Sequence, residues 1–108
     1  MMQVIKIKPL SVNKAWVGRR FKTPEYTKYE RALLLMLPKI KLPSPPYKLT
    51  IEYGFSNAAS DIDNPNKLII DIMQKKWKFD DKLIYELNTI KKIVKKGKEY
   101  FSFKIESL

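Results

Sequence analysis

Apolar and polar residues alternate from Tyr47 to Phe55. Tyr47, Leu49, Ile51, Tyr53 and Phe55 fall on one side; Lys48, Thr50 and Glu52 fall on the other. That period of two predicts a half-buried strand. A shorter run, Gln3 to Lys8, puts Ile5 and Ile7 together and reads as a first strand. Thr23-Pro24-Glu25 is a helix start: a capping hydroxyl, a proline suited to the first helical position, and an acid that complements the helix dipole. The helix predicted from it ends at Pro38 and buries Tyr29, Leu33, Met36 and Leu37. A second helix opens near Asp63-Asn64-Pro65 and presents Leu68, Ile69, Ile72, Met73 and Trp77. Leu83–Val94 and Tyr100–Ile105 read as two more strands. The turn Lys95-Lys96-Gly97-Lys98 between them suggests a hairpin.

The order β-α-β-α-β-β predicts an α/β (α+β) fold, with two helices packed on a mixed β-sheet. Two proline-rich breaks interrupt the pattern, at Lys8–Ser11 and Pro38–Pro46. Neither is long enough to link domains, so residues 1–108 are read as one small domain. A chain of this size gains from burying more surface in a dimer. The longest apolar run, Ala32–Leu37, is far too short to span a bilayer. Met1-Met2-Gln3-Val4-Ile5-Lys6 shows no signal-peptide pattern, so a cytoplasmic protein is expected, without a membrane partner.

Composition narrows the chemistry. The sequence has no cysteine and no histidine. Disulfides, thiol catalysis, Ser-His-Asp triads and most zinc sites are thereby excluded. A hydrolytic site must then use carboxylates, lysines, tyrosines or hydroxyls, with oxygen-loving ions such as Mg²⁺ or Mn²⁺. The 22 basic residues outnumber 11 acidic ones, for a net charge of +11. A polyanion is the natural partner, nucleic acid before a membrane surface.

Against that background the acids are unevenly placed. Four of the 11 fall in two tight pairs, Asp61-Ile62-Asp63 and Asp80-Asp81. Crowded carboxylates repel one another unless a cation lies between them. In an extended segment Asp61 and Asp63 point to the same side and can face one ion. Lys67 follows Asp63 by about one helical turn, where it can stabilise charge on a phosphate. Plainer roles fit the same residues: Asp63 as a helix cap paired with Lys67, and Asp80-Asp81 as a turn.

Taken together, Asp61-Ile62-Asp63-Asn64-Pro65-Asn66-Lys67, the apolar helix and Trp77-Lys78-Phe79-Asp80-Asp81 resemble the core of the RusA family of Holliday-junction resolvases. Pro9-Leu10-Ser11-Val12-Asn13-Lys14 resembles that family's P-x-S-x-N segment. Gly18-Arg19-Arg20 through Tyr29 resembles its basic loop and following helix. The resemblance implies catalytic Asp61, Asp63, Asp81 and Lys67, with Asp61, Asp63, Asp81 and Asp80 toward Mg²⁺, or Mn²⁺ in its place. It implies a homodimer acting on four-way DNA junctions in recombination and repair, in a bacterial or phage-infected cell, without a small-molecule cofactor.

The basic loop supplies candidate DNA contacts in Asn13, Lys14, Arg19, Arg20 and Lys22. Lys91, Lys92, Lys95, Lys96 and Lys98 add charge around the last two strands. Trp16 or Phe21 could stack at a junction centre, whereas Tyr26 is expected in the core. Three other functions share parts of this pattern. A non-catalytic nucleic-acid-binding domain needs the charge but not the aspartates. A structural accessory protein needs neither cleavage nor salt-sensitive DNA affinity. A nuclease on this scaffold can also prefer flaps, forks or other branched DNA.

Overall fold

A computed structural model describes residues 2–11, 14–17 and 21–108, with the side chains of Val17 and Phe21 left aside. The elements run β1 (Gln3–Ile5), β2 (Trp16–Val17), β3 (Phe21–Lys22), α1 (Pro24–Met36), β4 (Tyr47–Phe55), α2 (Asn66–Trp77), β5 (Ile84–Ile93) and β6 (Tyr100–Ser107). Four strands form one mixed sheet in the order β1-β6-β4-β5. The fold is α+β, with the predicted β-α-β-α-β-β order. One addition breaks it: the basic loop carries a two-stranded ribbon of β2 and β3, Trp16 opposite Lys22.

The hairpin expected between β5 and β6 does not form. β4 lies between them, antiparallel to β6 and parallel to β5. The reason lies in β4 itself. Tyr47, Leu49, Ile51, Tyr53 and Phe55 are all buried, so this strand needs a neighbour on both edges. β6 brings Phe101 beside Tyr53 and Phe103 beside Ile51, both fully buried. β5 returns after α2 to cover the other edge, giving a β4-α2-β5 unit of two parallel strands joined by a helix.

Packing on β4 reaches its limit at Gly54, which faces Tyr100 across the β4–β6 ladder. A Cβ at residue 54 would lie 2.3 Å from the Tyr100 ring, so only glycine lets the ring lie flat on the strand. Tyr100 then donates its hydroxyl to Glu52 at 2.7 Å.

The two helices form for the reasons the sequence offers. Thr23 caps α1: its hydroxyl accepts the Tyr26 N–H at 3.1 Å, and Pro24 takes the first position. α1 buries Tyr26, Tyr29 and Leu33, and Leu37, its C-cap, is buried beside them. Met36, expected in that stripe, is instead 41% exposed, because at about 100° per residue it falls at the margin of the face that Tyr26, Tyr29, Leu33 and Leu37 bury. α2 buries Leu68, Ile69, Ile72, Met73 and Trp77 against the same core. The Trp77 indole N–H reaches the Pro38 carbonyl at 2.9 Å, tying the end of α2 to the segment that terminates α1.

Candidate active site

The acidic pairs take their positions from the β4-α2-β5 unit. Asp61 and Asp63 follow the C-terminal end of β4 and lead into α2. Asp80 and Asp81 follow α2 and lead into β5. All four carry exposed side chains.

The turn at Asp61–Asp63 is held from three directions. Asn64 donates its amide to the Asp61 carboxylate at 3.3 Å, and the Asp63 carbonyl accepts the Asn66 N–H at 3.1 Å. Lys91, on β5, donates to the carbonyls of Ala58 (2.7 Å) and Ser60 (2.5 Å), pinning the loop just before Asp61. Beneath the turn, Tyr53 donates its hydroxyl to Asn66, whose amide donates to Thr89 at 3.2 Å. That relay joins β4, the first residue of α2 and β5. Burial pushes the Tyr53 phenol up, so it stays a neutral donor.

The plainer roles for Asp63 are not taken. α2 begins at Asn66 behind Pro65, with no side-chain cap, and Lys67 pairs with Asp71 at 3.4 Å. Among the described residues the Asp63 carboxylate has no hydrogen-bond or ionic partner. Asp80 differs: its carboxylate accepts the Lys82 N–H at 3.0 Å and caps a short 3₁₀ turn, Asp81–Leu83. The Asp81 carboxylate has no partner among the described residues, while its backbone N–H donates to Gln74 at 2.8 Å.

Sequence reasoning missed three residues here. Asp71 shares a face of α2 with Lys67, one turn on, and Gln74 reaches it at 3.4 Å. Gln74 thereby links that face to Asp81. Asn66 anchors the acidic turn to the sheet. The i,i+4 spacing of Lys67 and Asp71 was the available signal for the first. The other two depend on partners distant in sequence.

The oxygen-only donors suit a hard cation such as Mg²⁺ or Mn²⁺. Among the described residues, however, no three acidic side chains converge closely enough to hold one ion.

Beside the turn lies a cleft of about 510 Å³, lined by residues including Lys8, Lys14, Glu25, Tyr29, Phe55 and Asp61. The Tyr29 hydroxyl is buried at its wall and, among the described residues, makes no well-formed hydrogen bond. Burial pushes this phenol well up, tempered only by the nearby Leu10 backbone.

Of the predicted DNA contacts, Asn13, Arg19 and Arg20 lie outside the described residues. Lys14 is exposed at the cleft. Lys22 is engaged, 3.0 Å from Glu30 and 5.2 Å above the Tyr26 ring. Lys91 is occupied by the two loop carbonyls, and Lys92 pairs with Glu52 at 3.4 Å. Lys95, Lys96 and Lys98 are exposed. Trp16 is half-buried, edge-on to Tyr26 at 5.4 Å between ring centres, and Tyr26 is in the core as expected. No helix among the described residues is long and apolar enough to cross a membrane.

No family model matches the chain. It is similar to the crossover junction endodeoxyribonuclease RusA of Aquifex aeolicus, with 34% identity over 93 residues, covering 82% of this chain and 73% of that protein.

Proposed function

Because this chain belongs to the RusA family, we propose that it is a metal-dependent endonuclease resolving four-way DNA junctions by paired, symmetric nicks, as a homodimer. The observation that carries the reading is the similarity to a crossover junction endodeoxyribonuclease over most of both chains. The exposed carboxylates of Asp63 and Asp81, without partners among the described residues, in a chain of net charge +11, support it.

Asp61 and Asp63, which share one turn, would hold Mg²⁺, or Mn²⁺ in its place; Asp81 comes to this role from the family alone, since within one chain it precedes β5 at the other end of the parallel β4–β5 pair. Asp80 serves first as the cap of the turn that presents Asp81. When bound, the ion supplies an acidified water and charge neutralisation at the scissile phosphate. Lys67 would exchange Asp71 for a phosphate oxygen and stabilise charge that develops there. Asn64 orients the Asp61 carboxylate, and Lys91 keeps the loop before it in place. Lys14 and the exposed lysines at 95, 96 and 98 would contact flanking phosphates and give steep salt dependence.

The test is a labelled four-way junction beside a matched linear duplex, each with Mg²⁺ or EDTA. Mg²⁺-dependent paired nicks near the crossover, with 5′ phosphates and none on the duplex, are expected. Asp63→Asn and Asp81→Asn should abolish cleavage and spare binding. Tight binding with no cleavage in Mg²⁺ or Mn²⁺ would make the chain a binding module. Preference for flaps or forks would keep the chemistry and change the substrate.

A further inference from the structure

We propose that the cleft beside Asp61 receives one unstacked nucleobase of the strand being cut, next to the scissile phosphate. The site deepens the nuclease reading above and rests on it. The cleft holds about 510 Å³, within the roughly 300–1,000 Å³ of sites that take small organic groups. Leu10, Tyr29, Phe55 and Pro65 give it a buried, mostly apolar lining. Lys8, Lys14, Asn57 and Asp61 line it from exposed positions. An apolar floor under a polar rim suits a flat heterocycle whose polar groups lie at its edge.

Charge separates a base from a phosphate here. The chain carries +11 overall, yet this cleft has three carboxylates, of Glu25, Asp61 and Glu99, against two lysines. A phosphodiester is disfavoured among those acids, whereas a neutral group with N–H donors is welcome. Glu99 is already positioned to accept. The Ser56 hydroxyl donates to one of its oxygens at 2.6 Å and the Gly97 N–H to the other at 2.9 Å. The Ser56 bond foremost keeps this carboxyl below the usual range, so it stays an acceptor. A carboxylate offers about four lone-pair sites, which leaves room for a base's amino or ring N–H. The Tyr29 hydroxyl, buried in the lining with no well-formed hydrogen bond among the described residues, is a second polar atom that a base edge would satisfy.

The wall from Ser56 to Ser60 is preformed. Asn57 accepts the Ala59 N–H at 2.9 Å, and Lys91 holds the Ala58 and Ser60 carbonyls. Binding a base there requires little ordering of the loop. Asp61 belongs to both the cleft and the acidic turn, and Asn64 lines the cleft while donating to Asp61. A nucleotide with its phosphate at the turn therefore brings its base to the cleft. Drawing a base out of a duplex is costly, and least so where pairing or stacking is already interrupted. Stacking is interrupted where strands exchange at a four-way crossover. Base capture thus favours the junction over linear duplex at positions where no base edge is read in a groove.

The experiment is photo-crosslinking. Asp63→Asn protein is bound to four-way junctions carrying 5-iodouracil or 5-iodocytosine in turn at the positions flanking the scissile phosphate. After irradiation the linked peptides are identified by mass spectrometry. One flanking position should link to Tyr29 or Phe55, and the same label in linear duplex should not. Links confined to exposed lysine-bearing loops, or none at all from a bound junction, overturn the proposal while leaving wild-type cleavage untouched. A second readout fills the cleft. Ala59→Trp, at an exposed position of the wall, should stay folded by circular dichroism, lower junction-cleavage kcat at least tenfold and keep junction affinity within about twofold, since the base's contacts and its unstacking offset each other. A folded Ala59→Trp protein with wild-type kcat overturns the proposal. If that variant does not fold, the crosslinks decide. A wild-type chain that binds junctions but cuts none in Mg²⁺ or Mn²⁺ removes the nuclease reading, and this site with it.

Discussion

The side-chain oxygen of Gln74 accepts the backbone N–H of Asp81 at 2.8 Å, so a residue inside α2 fixes the turn that presents an acid beyond its end. The same amide group contacts the Ile70 carbonyl and the Asp71 carboxylate, each at 3.4 Å. A neutral hydrogen bond of this kind contributes about 1 kcal/mol to stability. Its effect on activity should be larger, because misplacing a reacting group by about 1 Å costs on the order of 100-fold. Gln74→Leu is therefore expected to lower junction-cleavage kcat at least tenfold, with junction affinity unchanged and Tm reduced by a few degrees. Equal losses in affinity and kcat would reduce Gln74 to a packing residue.

Tyr29 predicts the opposite balance. Its hydroxyl is buried with no well-formed hydrogen bond among the described residues, a state that costs about 1–3 kcal/mol against an apolar replacement. Tyr29→Phe should be more stable than wild type by roughly 1 kcal/mol in urea titration, with an unchanged m-value. A destabilised variant would mean that the hydroxyl has a partner in solution.

Glu30 joins three elements, taking Lys22 and Lys75 each at 3.0 Å. Burial alone would raise its carboxyl, but the hydrogen bonds from Lys75 and Lys22 outweigh it and hold the group below the usual range. A depressed folded-state value contributes stability above the unfolded pKa of about 4.3, and that contribution is lost as pH falls through the folded value. Glu30→Gln should cost about 1 kcal/mol at pH 7, since both lysines are partly exposed. The gap between wild type and variant should close below about pH 4. A gap that persists in acid would assign the loss to packing.

Lys78 ends α2 in the left-handed region, at φ 57° and ψ 52°, with its N–H on the Gln74 carbonyl. That conformation costs a residue with a Cβ about 1 kcal/mol, and glycine avoids the cost. Lys78→Gly should raise Tm by a few degrees in calorimetry, without affecting cleavage. A lower Tm would show that the lysine side chain compensates in the folded state.

Local signals carried most of the elements. Thr23-Pro24-Glu25 announced α1 because a cap, a proline and an acid each act within one turn. The alternation from Tyr47 to Phe55 set β4 to the residue. Neighbours in the sheet were not legible, since periodicity says which face a strand buries and not which strand it meets. Hence Lys95–Lys98 looked like a hairpin turn, although β4 stands between the strands it connects. The acidic residues were legible as a pattern, and Asp80 and Asp81 were separable only in space, where one caps a turn and the other does not. Lys91 looked like a DNA contact because a lysine's charge is visible in sequence and the carbonyls of Ala58 and Ser60 that occupy it are not.

The Lys91 clamp sets what could be moved to another protein. The string from Asp61 to Lys67 is short enough to graft, yet its shape is imposed by a side chain some 30 residues downstream and by the Tyr53–Asn66–Thr89 relay. A transplantable unit therefore needs at least the stretch from Tyr47 to Ile93, with β6 covering the other edge of β4, and a design that copies only the motif would carry the ligands without their scaffold.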